Sequence, residues 1–139
     1  MHEGDAITRQ IIGAAIRIHQ KFGPGLLESV YRLTLAQELV VGGLSVEAEK
    51  PLELVHEGLR LQRAYVLDLL VEGCVIVEVK CVDKIAPIHV AQLITYLRLT
   101  GLKVGLIINF NVTLLKNGIR RVVNGYEDES PSGRASDGL

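Results

Sequence analysis

Asp68, Glu78 and Lys80 are charges embedded in otherwise apolar runs, VLDLLV and VIVEVKC. Charges removed from water are costly unless they are paired or bind something. Residues two apart on a strand point to one face, so Glu78 and Lys80 share one. Where Asp68 points depends on the turn at Glu72-Gly73. A two-residue turn pairs Val71 with Cys74 and sends Asp68 and Glu78 to opposite faces. A three-residue loop, Val71-Glu72-Gly73, pairs Leu70 with Cys74 and Asp68 with Ile76, leaving Glu78 diagonal to Asp68 on one face. Gly73 suits the left-handed residue of such loops, and this is the expected geometry. Diagonal neighbours lie about 7–8 Å apart, close enough for two carboxylates to share a cation. Oxygen ligands suit Mg²⁺ or Mn²⁺. With Lys80 to orient water or to meet developing negative charge, the set suits metal-assisted hydrolysis of a phosphodiester. An internal lysine–carboxylate ion pair fits the same spacing.

Two further groups stand on predicted helices. His89, Gln92 and Tyr96 fall on one stripe at i, i+3 and i+7. A water-exposed helix edge accounts for His89, whereas Gln92 and Tyr96 beside the acidic patch would bring an amide and a phenol to a bound phosphate. Glu28 and Tyr31 follow a GPG turn at i and i+3, where the helix dipole alone favours a glutamate.

The elements that must position these groups are legible in the hydrophobic periodicity. Residues 5–21 read as an amphipathic helix with Asp5 as a cap, stopped by FGPG at 22–25. A second helix, LLESVYRLTLAQELVVG, ends at Gly42-Gly43, with Leu27, Val30, Leu33, Leu35 and Leu39 as its apolar positions. Three strands follow: 46–55, 59–71 and 74–81, joined by turns at HEG and EG. The loop VDKIAP leads to a helix, IHVAQLITYLRLTG. VGLIINFNV at 104–112 is a near-continuous apolar run, as in a strand covered on both faces. A turn at Asn117-Gly118 and a short strand complete residues 1–126 as one domain, and 127–139 reads as a disordered polar tail. A meander followed by a crossover helix predicts an α/β fold with a mixed sheet and two N-terminal helices.

Composition narrows the partners. A net charge of −1 gives no overall basic footprint. Arg60, Arg63, Lys84, Arg98, Lys116, Arg120 and Arg121 could still line a groove, although scattered charges are usually a solvated surface. With 4% aromatic residues and no Trp, a broad base-stacking platform is not expected. Hydrophobic content of 48% suggests either a sheet covered on both faces or apolar surface buried against another subunit, and on the second reading a homodimer is expected. Cys74 and Cys81 lack zinc-site spacing and read as free thiols of a reducing, cytoplasmic compartment. No apolar run is long enough for a membrane span.

Asp68, the Glu78-Val79-Lys80 triplet and Gln92-x-x-x-Tyr96 together resemble the PD-(D/E)xK nuclease superfamily. GLLESVY, Gly25 to Tyr31, is similar to the signature of one bacterial branch, the GxxExxY proteins. The likeness runs from about Ile12 through Val123. It implies a restriction-endonuclease-like core whose acidic corner binds divalent metal and acts on nucleic acid, DNA or RNA. It maps the metal ligands onto Asp68, Glu78 and Glu28, the last approaching the same site from the second helix, the catalytic set onto Asp68, Glu78 and Lys80, and accessory roles onto Glu28, Tyr31, Gln92 and Tyr96. One departure is Val66, where the family often carries a basic residue two before the aspartate. The expected function is metal-dependent phosphodiester hydrolysis. The alternatives are a catalytically weak nucleic-acid- or partner-binding module and an oligomerisation domain with ion-paired core charges.

Overall fold

The computed structural model describes residues 3–124, so the tail expected at 127–139 lies outside the described residues. Helix α1 spans Glu3–Phe22, α2 Glu28–Val41 and α3 Pro87–Thr100. The strands are β1 (Val46–His56), β2 (Leu59–Val71), β3 (Val75–Lys80), β4 (Val104–Asn109) and β5 (Ile119–Val123). They form one sheet in the order β1-β2-β3-β4-β5. All neighbours are antiparallel except β3 and β4, which the α3 crossover makes parallel. This is the mixed sheet expected of a restriction-endonuclease-like core.

Helices cover the sheet from both sides. On one face α1 and α2 bury Ile11, Ala15, Ile18, Tyr31, Leu35 and Leu39 against Val75, Val77 and Val79 of β3 and Leu106 and Ile108 of β4. On the other, α3 buries Val90, Leu93 and Leu97 against Ile76, Ile107 and Val122. The two-residue alternation of β3 therefore puts Glu78 and Lys80 on the α3 side with Ile76. Close packing there depends on Gly105, where a Cβ would lie 2.8 Å from Leu93 Cδ1.

Several expectations are corrected in detail. Asp5 is not the cap of α1, which begins before it; its carboxylate instead pairs with Arg121 of β5 at 3.0 Å. On α2 the buried stripe is Tyr31, Leu35 and Leu39, while Leu27, Val30 and Leu33 are exposed. β4 ends at Asn109 rather than running to residue 112. Asn109 is buried and its amide turns inward: Oδ1 accepts the Val82 N–H at 3.0 Å and Nδ2 donates to the Val82 carbonyl at 2.8 Å. That bond fixes the chain as it leaves β3.

The β2–β3 register also differs from expectation. Val71 faces Val75, Leu70 faces Ile76 and Leu69 faces Val77. The loop is three residues long, but it is Glu72-Gly73-Cys74. Glu72 and Gly73 both take positive φ, 54° and 63°, and Cys74 donates its N–H to the Val71 carbonyl. The expected loop was one residue early, so Asp68 is not opposite Ile76. Continued by one pair, the observed register brings Asp68 level with Glu78 rather than diagonal to it.

Candidate active site

The sheet opens where Asp68 and Glu78 meet. The β2–β3 ladder stops at Leu69 and Val77. Beyond it, side chains replace the carbonyl acceptors of the ladder. Glu78 Oε2 accepts the Asp68 N–H at 3.1 Å, and Asp68 Oδ2 accepts the Val79 N–H at 2.8 Å. On its other side β2 is also interrupted. Ala48 pairs with Leu69 and Lys50 with Leu67, but Glu49 and Asp68 between them make no ladder pair. Glu49 sits at φ 52°. Leu67 lies in the α3-side core and Leu69 in the α1/α2-side core, so β2 is wrung at Asp68 itself. The two carboxylates occupy this seam, Glu78 buried and Asp68 half-buried.

Two anions so placed raise one another's cost. Burial, with the Asp68 charge adding to it, pushes Glu78 from the usual 4.5 up to about 8. The Asp68 N–H and the Lys80 ammonium pull the other way without prevailing. Asp68 is also raised, chiefly by burial and further by the charge of Glu28, against the Val79 hydrogen bond and the cations Arg32 and Lys80. Asp68, Glu78, Lys80 and Glu28 are thus within electrostatic reach of one another. Among the described residues no three His, Cys, Asp or Glu side chains are grouped closely enough to cage a metal ion. The charge of Glu28 nevertheless bears on both carboxylates of the pair. Two carboxylates with solvent and phosphate completing the shell is a common Mg²⁺ arrangement, and a cation would relieve the repulsion of the pair. The donor set fits a hard divalent ion.

The helices bring in the remaining groups. Glu28 opens α2, and the turn before it is held by Tyr31. The Tyr31 hydroxyl donates to the Gly23 carbonyl and accepts the Leu26 N–H at 3.2 Å, while its ring stacks on Phe110 with centroids 4.2 Å apart. Gly25, at φ 115°, supplies the left-handed step. Tyr31 is fully buried, so it positions Glu28 through the turn and its hydroxyl is committed there. Cys81 closes the same region: its Sγ lies 3.8 Å from the Leu26 carbonyl, and burial followed by the Glu28 charge pushes its thiol up. Neither Cys74 nor Cys81 is in a disulfide.

From α3, Tyr96 comes beside the pair. Burial first, then the charges of Glu78 and Asp68, push its phenol up to about 12, so it stays a hydrogen-bond donor at working pH. Its ring meets Tyr65 of β2 edge-on at 5.4 Å. Gln92, one turn earlier, is exposed and is not drawn into the cluster. His89 caps α3, its Nδ1 accepting the Ala86 N–H at 2.9 Å.

Arg32, Tyr65 and Asn109 are site neighbours that sequence reasoning passed over. A signal existed for Arg32, one helical turn after Glu28 and so on the same face. None existed for Asn109, which looks like any polar residue after an apolar strand.

Comparison with curated proteins and with solved structures returned no match. A family profile described as the PD-(D/E)XK nuclease superfamily matches residues 5–122. The matched stretch runs from α1 to β5 and holds every element that builds the acidic seam, and the chain therefore belongs to the PD-(D/E)XK nuclease superfamily.

Proposed function

We propose that the protein is a divalent-metal-dependent nuclease of the GxxExxY branch that hydrolyses phosphodiester bonds of DNA or RNA. The observation that carries this reading is the exchange at the seam: two carboxylates that each serve the other's strand with one oxygen and keep the second oxygen uncommitted to it. Superfamily members generally use divalent metals. Asp68 and Glu78 would hold Mg²⁺ or Mn²⁺, with Glu28 adding negative charge from α2. When bound, such an ion supplies charge neutralisation at the phosphate and makes water more acidic. Lys80, on the same face as Glu78, orients water or meets the charge that develops on the phosphate. Tyr96, protonated throughout, is suited to donate to a phosphate oxygen, and Gln92 to touch substrate at the solvent edge.

Two cysteines outside any disulfide agree with a reducing, cytoplasmic setting, and among the described residues no helix is long and apolar enough to cross a membrane. Val66 favours a second reading, a binding module of weak activity, because it leaves β2 without a cation next to Asp68. Hydrolysis of single- and double-stranded DNA and RNA with Mg²⁺, Mn²⁺ or EDTA, wild type against Glu78→Gln, separates the two. Cleavage that requires both metal and Glu78 establishes the nuclease; nucleic-acid binding without cleavage establishes the module.

A further inference from the structure

We propose that Arg32 is a phosphate-binding residue of the acidic seam and that Glu49 holds it in position; this rests on the nuclease reading and names the group that would grip the substrate anion. Arg32 stands one turn after Glu28 on α2 and reaches over to β1, where its Nη2 binds Glu49 Oε2 at 3.1 Å. Glu49 falls in the register between Ala48, opposite Leu69, and Lys50, opposite Leu67. That is the position of Asp68. The ion pair therefore holds the guanidinium on the β1 side of Asp68, near enough for its charge to bear on that carboxyl.

Two oddities at this spot find a common reason. Among the described residues three non-glycine residues have positive φ: Glu49, Glu57 and Glu72. Glu57 and Glu72 each precede a glycine in a turn, where such a conformation is ordinary. Glu49 lies inside a strand, where such a conformation is strained and commonly marks a functional constraint. The second oddity is the Arg32 Nε, which is buried and, among the described residues, has no hydrogen-bond partner. A buried donor without an acceptor is destabilising. The Arg32 side chain is 17% exposed, whereas Glu49 is 56% exposed, so the cation and not its partner is sheltered. An exposed carboxylate held by a strained backbone is poorly explained as a stability device, since such pairs contribute little. It is well explained as an orienting clamp. One edge of the planar fork rests on Glu49, leaving Nε to meet an oxyanion, a geometry that matches phosphate.

The test is a titration of the full chain, with Ca²⁺ to prevent turnover, using inorganic phosphate and short single- and double-stranded DNA and RNA oligonucleotides. The Arg32 Nε–Hε resonance, identified by its loss in Arg32→Lys, is followed with the Val79 amide. On binding, both should shift. Arg32→Gln should weaken oligonucleotide binding about tenfold or more and lower the salt slope by about 0.7–0.9. Glu49→Gln should weaken it by a smaller factor without changing the slope as much. Thermal melts of each variant report folding; should Arg32→Gln unfold, Arg32→Lys and the wild-type titration decide. If oligonucleotide moves the Val79 amide but not Arg32, and Arg32→Gln keeps affinity and slope, Arg32 is only a pin between α2 and β1 while the nuclease reading stands. If no probe moves either resonance and no substrate is cut, the nuclease reading falls and takes this assignment with it.

Discussion

At the scale of single residues, the decisive quantity is the cost of two buried carboxylates side by side. A carboxyl whose folded pKa is raised stabilises the fold fully below its unfolded pKa and loses that contribution as pH rises through the folded value. For Glu78 the window runs from the usual 4.5 to about 8, and Asp68 shifts in the same direction. Metal-free protein should therefore melt at a higher temperature at pH 5 than at pH 8.5. Glu78→Gln should flatten that dependence and raise the melting temperature at the alkaline end. A melting temperature that instead rises with pH in wild type would mean that the pair is stabilised as anions, as in the ion-pair alternative. The same substitution should reduce hydrolysis by about 10²-fold or more, the size of a lost positioned acid–base or electrostatic group. Lys80→Ala should keep Mn²⁺ binding, read by calorimetry, while turnover falls by roughly the same factor.

At the scale of elements, the site depends on two helices reaching one seam from opposite layers. Tyr31→Phe removes the hydroxyl that joins Gly23 to Leu26 and leaves a half-buried carbonyl and N–H without that partner, a loss of about 1–3 kcal/mol for the two hydrogen bonds together. Activity should fall with it, through Glu28, and a denaturant melt beside a cleavage assay checks both. Gly105→Ala should push Leu93, and with it α3 and Tyr96, away from the sheet, because the added Cβ would stand 2.8 Å from Leu93 Cδ1. The expected loss is about 1–3 kcal/mol by overpacking.

The elements themselves were legible because each carries its own period: three- and four-residue spacing in α1, alternation in β1, a near-continuous apolar run in β4. The active strand was legible because Glu78 and Lys80 violate an apolar pattern. Register was legible only to parity. Which of Val71, Glu72, Gly73 and Cys74 belong to the loop is decided by backbone angles that Glu72 and Gly73 adopt together, and glycine alone does not reveal its partner. Arg32 and Glu49 lie 17 residues apart on a helix and a strand, and only folding makes them neighbours.

At the scale of the whole molecule, the near-neutral charge limits how tightly nucleic acid can be held. Of the seven scattered cations, Arg60 is engaged by Glu53 and Arg121 by Asp5. Affinity should therefore show a shallow salt dependence, equivalent to a few phosphates rather than a long tract. The high apolar content is partly explained by a sheet covered on both faces. Part of the remainder is on α2 and just before it, where Leu27, Val30, Leu33, Val40 and Val41 are 40–75% exposed. The expected homodimer is testable at that surface. Leu33→Glu or Val41→Glu should shift sedimentation to a monomer without lowering the melting temperature of the fold; a wild type that sediments as a monomer would remove the dimer.

The opened ladder at Asp68 and Glu78 also links the sheet to whatever occupies the site. Two backbone amides, those of Asp68 and Val79, are protected by carboxylate oxygens rather than by carbonyls. Protonating or ligating those carboxylates must therefore alter the shelter of these two amides, while those of Leu69 and Val77, one step inside the ladder, keep theirs. In hydrogen–deuterium exchange, the Asp68 and Val79 amides become a built-in gauge of occupancy, readable without knowing the substrate.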